Sequence, residues 1–343
     1  MERLDRFMAR ANAAYYATYD PFADFTTAPE ISQVFGEILG LWAAVMWDRI
    51  GRPDPVLLVE AGPGRGTLLA DALRAIREVA PAFGSALRLH LVETSSRLRA
   101  LQAARLPGAV WHDGLATLPD GPLLLLANEF LDALPIRQFL RRGDAWVERF
   151  VEKGRFVEAA ADAPPSWSGG ATMTTGAPRA KDEGAARSMT IELCEAAHDF
   201  ARSLASRLSN HTGAALFLDY GPECSAAGES LQALRDGRPT DPLADPGTAD
   251  LTAHVDFAAI AATARAAGAA THGPLPQGVF LTRLGLFQRT DRLARTRQPS
   301  QALALIEAAR RLAEPDRMGR LFKALAVCHP GCPTPPGFEA DSQ

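Results

Sequence analysis

The chain has 343 residues, 47% of them hydrophobic and 22% charged, which is enough apolar material for one large or two ordinary domains. A formal net charge of -4 and a pI near 6.0 argue against a dedicated nucleic-acid binder held by phosphate contacts. No uninterrupted apolar run approaches the roughly 20 residues that span a bilayer, and the start MERLDRFMARAN lacks the apolar core of a secretory signal, so a soluble, cytoplasmic bacterial protein without membrane insertion is expected.

Along the chain, the pattern over 29–47 predicts a long amphipathic helix with Thr26 or Thr27 near its cap, and 1–50 reads as an N-terminal helical lid. Short apolar runs at 56–61, 87–93, 109–112, 123–128 and 214–220 predict strands, with helical stretches at 67–79, 97–105 and 191–208 between them. LLLLAN and AALFLDYG are near-continuous apolar runs, as buried parallel strands require. Strand-helix alternation implies βαβ units and a doubly wound α/β sheet, carried by 51–138 and 190–328. RQFLRRGDAWVERFVEKGRFVEA turns at Gly143 and Gly154 and predicts a hairpin inserted at 139–189. Residues 161–188 are small, polar and rich in Pro and Gly, so they read as a surface loop. DGRPTDPLADPGTAD predicts a second irregular stretch, and 329–343 a disordered tail.

Four cysteines in a chain of this length suggest reduced thiols. Cys328-His329-x-x-Cys332 supplies half of a zinc pattern without a second pair, so no metal is expected.

The stretch PVLLVEAGPGRGTLLA joins an apolar run to a helical pattern through Glu60, Gly62, Gly64 and Gly66. A P-loop needs Gly-Lys-Ser/Thr, and the lysine is missing before Thr67. A dinucleotide turn needs G-x-G-x-x-G; here the spacing is G-x-G-x-G, and the carboxylate of Glu60 would repel a pyrophosphate at close range. It would attract an ammonium. The acid-x-G-x-G-x-G pattern resembles the first motif of class I methyltransferases, whose ligand, S-adenosyl-L-methionine, has an ammonium and a sulfonium and no phosphate. In that reading the glycines let backbone approach the ligand, Glu93 ends the next strand to accept from both ribose hydroxyls, and Asp113 follows the third strand to meet the adenine amine.

Seven segments in order, DFTTAPEISQVFGEILGLW, VEAGPGRGTLLADALR, VETSSRLRALQ, ANEFLDALPIRQF, FLDYG, DLTAHVDF and MGRLFKALAV, resemble the MidA-like family of methyltransferases over about residues 12–328. The resemblance implies a class I methyltransferase (Rossmann-like) sheet with S-adenosyl-L-methionine as cofactor. Mitochondrial members of that family are complex I assembly factors that dimethylate an arginine on a hydrogenase-like core subunit, which makes that subunit the implied protein partner. One departure is visible: the family carries a glycine-containing spacer between its PF and DF elements, and Pro21-Phe22-Ala23-Asp24-Phe25 is contracted.

Asn128-Glu129-Phe130-Leu131-Asp132 follows the fourth strand, at the edge where open α/β sheets bind ligands. Asn128 is placed on the cofactor side. Acids at this point suit a cationic acceptor, because a carboxylate grips a guanidinium bidentately, and Glu129 is the residue expected to do so. Asp132 either assists or caps a following helix, and Glu30 either serves the acceptor or complements a helix dipole. Tyr15, Tyr16 and Tyr19 form either an aromatic lid or a packing cluster. His254 is either a base or a structural residue between Thr252 and Asp256.

Overall fold

Apolar strands alternating with amphipathic helices bury both faces of one sheet, and the strands of that sheet are numbered here along the chain. They are β1 Val56–Ala61, β2 Leu87–Val92, β3 Val110–His112, β4 Leu123–Asn128, β5 Gly213–Tyr220, β6 Ala270–Pro276 and β7 Phe322–Cys328. The computed structural model describes residues 1–19, 26–164 and 189–340. Contracted Pro21–Phe25 and most of the 161–188 loop therefore lie outside the described residues. The strand order is 3-2-1-4-5-7-6. Strands β1 to β5 pair in parallel, and β7 runs antiparallel between β5 and β6. This is a doubly wound α/β sheet, as the resemblance to class I methyltransferases implies.

Every residue of β1 and of β4 is buried. Their side chains alternate between two layers: Val56 and Leu58 enter one core, Leu57, Val59 and Ala61 the other. Strands β6 and β7 escaped the sequence reading. Phe322–Cys328 (FKALAVC) has Lys323 in second place and two alanines, a weak strand signal, and is buried along its whole length because it sits between two neighbours.

Three regions differ from expectation. First, the pattern over 29–47 is two elements, Ala28–Ile31 and Gln33–Arg49, broken at Ser32, whose Oγ accepts from the amide of Val34 and caps the longer helix in place of Thr26 or Thr27. That longer helix is a core layer rather than a lid, since Phe35, Leu39, Trp42 and Met46 are buried in the main cluster. A Cβ on its Gly40 would lie 2.7 Å from Cα of Ala72, so glycine there lets the helix approach the Thr67–Val79 helix closely. Second, the inserted hairpin belongs to a five-stranded sheet. Ala145–Glu152 pairs with Arg137–Arg142, with Arg155–Ala161 and with Glu2–Arg3, and Arg137–Arg142 pairs onward with Thr190–Leu193. Cross-strand pairing thus converts the front of the expected 191–208 helix into strand, and the helix runs Glu195–Asn210. Third, the expected disordered tail is placed as far as residue 340: Phe338 packs on Phe280, and Trp42 donates through Nε1 to the carbonyl of Pro336. Among the described residues, no helix is long and apolar enough to cross a membrane.

Candidate active site

Because β1, β2, β4 and β5 are parallel, Ala61, Val92, Asn128 and Tyr220 end at one edge of the sheet. A cavity of about 680 Å³ lies over the ends of β1, β2 and β4. The Leu4–Thr18 helix covers it with one face, Asn12, Ala13, Tyr16 and Ala17 lying a turn apart in pairs. Of the residues expected from the sequence, Glu30, Glu60, Gly62, Gly64, Glu93, Asp113, Asn128 and Glu129 all line this cavity. Gly66 lies at the same turn, as the cap of the Thr67–Val79 helix.

On the β1–β2 side the glycine turn is left-handed at all three glycines, with φ of +66° at Gly62, +52° at Gly64 and +74° at Gly66. Glu60 is 3% exposed, and burial pushes its carboxyl up to about 8, opposed by a backbone contact with Leu69. Among the described residues its Oε2 has no hydrogen-bond partner, and neither has Oδ1 of Asn128. Two orphaned acceptors on one cavity wall are costly unless a ligand brings donors. Glu93 accepts from the amide of Ser95 at 2.8 Å, and burial raises its carboxyl as well. Gln102 ties these parts together, and the sequence reading missed it. Fully buried, it donates through Nε2 to the carbonyl of Gly64 at 2.7 Å and to Oε2 of Glu93 at 3.3 Å, and accepts from Nε1 of Trp111 at 2.8 Å. Asp113 is different in kind: its side chain is 82% exposed and paired with Arg99 at 2.6 Å.

On the β4–β5 side, Glu129 is a non-glycine residue with φ +49°. Its Oε1 accepts from the amide of Ala28 at 3.1 Å and from Nδ2 of Asn128 at 3.0 Å, and burial raises its carboxyl. Glu30 accepts from the hydroxyl of Thr67 at 2.5 Å, which fastens the 28–31 segment to the helix behind the glycine turn. Asp132 caps no helix, since the chain turns directly into Arg137–Arg142, and it is buried behind the cavity wall. Burial and the charges of Asp219, Asp250 and Glu129 push its carboxyl well up.

Tyr15 is fully buried and stacks on Tyr19, while Tyr16 lines the cavity and donates to Oδ1 of Asp250 at 2.7 Å. Asn12 bonds the carbonyls of Ala133 and Leu251 and the amide of Leu251, which fixes the covering helix to the loop after Glu129. His254 does not line this cavity and lies edge-on to Tyr220, while Asp256 caps the Phe257–Ala266 helix. Among the described residues, no group of three or more His, Cys, Asp or Glu is placed to hold a metal.

Comparison with known proteins gives a consistent result. A family model for S-adenosyl-L-methionine-dependent methyltransferases matches residues 38–275. The chain is 33% identical over 349 residues to the mitochondrial protein arginine methyltransferase NDUFAF7 of Danio rerio, covering 91% of this chain and 79% of that one. It is 31% identical to the Homo sapiens protein of the same name, covering 95% and 79%. A Burkholderia thailandensis crystal structure bound to S-adenosyl-homocysteine superposes with a TM-score of 0.75 at 28% identity, over 98% of this chain and 88% of that one. A second structure from that organism, a native crystal, gives 0.77 at 29% identity, over 99% and 90%.

Proposed function

This chain belongs to the MidA-like family of S-adenosyl-L-methionine-dependent methyltransferases, and from that premise we propose that it methylates an arginine side chain of a protein. Glu129 carries the reading. The fold spends a strained backbone turn and a buried carboxyl to put this acid on the cavity wall, beside the part of the wall that suits the cofactor.

The residues present fit S-adenosyl-L-methionine. Among the described residues Glu60 Oε2 and Asn128 Oδ1 find no partner, and the ammonium of a methionyl group would bring donors to them. Gly62, Gly64 and Gly66 leave the turn without side chains, and Glu93 offers a carboxylate for the ribose hydroxyls. Asp113 takes the outer, adenine position, where solvent weakens what it contributes. When bound, the cofactor supplies an electrophilic methyl on a sulfonium. Glu129 grips the acceptor guanidinium in its plane and draws positive charge toward the nitrogens it holds, leaving the remaining nitrogen the better nucleophile. Its raised affinity for a proton also suits it to receive the one the guanidinium sheds. Glu30 lies on the same wall as a second carboxylate for the cation.

The proposed client is the large, hydrogenase-like subunit of respiratory complex I, met in the cytoplasm of a bacterial host. The names of the relatives support a protein arginine as acceptor; the subunit itself follows from the family resemblance. Deleting the gene in its host and mapping that subunit by mass spectrometry tests it. A methylated arginine that disappears with the gene is the expected result. Methylation that persists, or is absent in both strains, removes this client.

A further inference from the structure

We propose that Asp219 is a positioning residue for the acceptor side of the site: its carboxylate grips the backbone of residues 130–132 and so aims Glu129 and Phe130 at the cavity. The proposal rests on the assignment of Glu129 to the acceptor.

Asp219 is the penultimate residue of β5, beside the end of β4, and is 1% exposed. Its Oδ2 accepts from three consecutive amides, those of Phe130 at 3.1 Å, Leu131 at 2.9 Å and Asp132 at 3.3 Å. Its Oδ1 accepts from the amide of Tyr220 at 2.9 Å. Successive N–H groups converge on one anion only where the chain curls into a concave turn. Here the turn opens at Glu129, in the left-handed region that a residue with a Cβ occupies at a cost. That conformation persists because its surroundings fix it from both sides. The amide of Glu129 donates to the carbonyl of Leu218 at 2.9 Å, and the next three amides are held by Asp219.

Two consequences reach the cavity. The carboxylate of Glu129 comes within bonding distance of Ala28 and Asn128. The ring of Phe130 settles against the glycine turn, where a Cβ on Gly62 would lie 2.9 Å from its Cδ2. One buried side chain that does not line the cavity therefore sets a residue on each of its two sides. Burial raises the carboxyl of Asp219 to about 7, opposed by the amides of Tyr220, Asp132 and Leu131, and burial with the charge of Asp219 pushes the carboxyl of Asp132 well up.

Asp219→Asn tests this, because an amide keeps the shape and turns one terminal acceptor into a donor. The full-length variant is expected to melt near the wild type and to bind S-adenosyl-homocysteine within about threefold, while methyl incorporation from labelled S-adenosyl-L-methionine into extract of cells lacking the gene falls about 100-fold. Rapid hydrogen exchange confined to the amides of Phe130, Leu131 and Asp132 should accompany that fall. Unchanged incorporation overturns the proposal, and so does a loss of S-adenosyl-homocysteine binding as large as the loss of transfer. A third outcome also overturns it: Glu129→Gln transferring methyl normally while Asp219→Asn does not, which would also sink the acceptor assignment of Glu129. Should the Asn variant fail to fold, the wild type carries the test. Its amides at 130–132 should exchange as slowly as those of β4, and exchange at the rate of an open loop ends the proposal.

Discussion

The two sides of the cavity are built in opposite ways. The β1–β2 side takes Glu60, Gly62, Gly64, Glu93 and Asp113 from one continuous stretch of chain, and its local turns are joined by the amide side chain of Gln102. The β4–β5 side gathers Asn12, Tyr16, Ala28, Glu129 and Asp219 from four distant segments, and buried polar groups hold it together. A local site tolerates loss of one contact as a matter of affinity. A non-local one, whose buried charges are satisfied only when every segment is in place, should fail in turnover while the fold and the cofactor side survive.

The largest effect should come from Glu129→Gln, which preserves shape and removes the charge. Methyl transfer is expected to fall about 10²–10³-fold, as when one preorganised electrostatic contact is removed, with affinity for S-adenosyl-homocysteine within a few-fold of the wild type. Calorimetry beside incorporation of labelled methyl separates the two; loss of cofactor binding instead would move Glu129 to the opposite side of the cavity.

Gly64→Val attacks the local side. A β-branched residue at φ +52° is strained and projects a side chain where the ligand must approach, so cofactor affinity should fall by at least about 100-fold. Wild-type affinity in this variant would sink the role of the turn.

Glu60 gives a pH signature. Its carboxyl is raised from 4.5 to about 8, so between those values the ligand-free fold holds a proton that the unfolded chain has lost. The stability that this proton confers is therefore complete below 4.5 and is lost progressively as pH rises through about 8. An ammonium beside Oε2 restores the ionised form, so binding of S-adenosyl-homocysteine at pH 7 should release up to about one proton. Binding enthalpies measured in buffers of different ionisation heat will show it, and Glu60→Gln should bind more weakly with no buffer dependence from this group. The same buffer dependence in that variant would assign the proton elsewhere.

The smallest effects separate two acids of the local side. Glu93→Ala should cost about 1.5–3 kcal/mol of cofactor affinity through lost charge-assisted hydrogen bonds. Asp113→Asn should cost about 0.2–1 kcal/mol, because that side chain is solvated and already paired with Arg99. Equal losses by calorimetry would mean that burial does not set the strength of these contacts.

Much of this protein was fixed by local pattern. Strands β1 and β4 and the Thr67–Val79 helix have the ends their apolar periodicity implies, because a buried parallel strand and an amphipathic helix each write their burial into consecutive residues. The wall proposed for the cofactor was legible for the same reason, since Glu60, Gly62, Gly64, Glu93 and Asp113 come to line the cavity from one continuous run of chain. Tertiary structure decided the rest. It made the 33–49 helix a core layer, drew Thr190–Leu193 into a second sheet, and left Asp132 as a buried acid with no helix to cap. It also gave Asp219 and Gln102 their work, and neither signals it in sequence. An acid at a strand end and a glutamine in a helix are commonplace, and what matters is which amides and carbonyls the distant chain brings to them. A hydrogen bond between residues 219 and 131 has no periodicity to betray it, because the fold alone sets that separation.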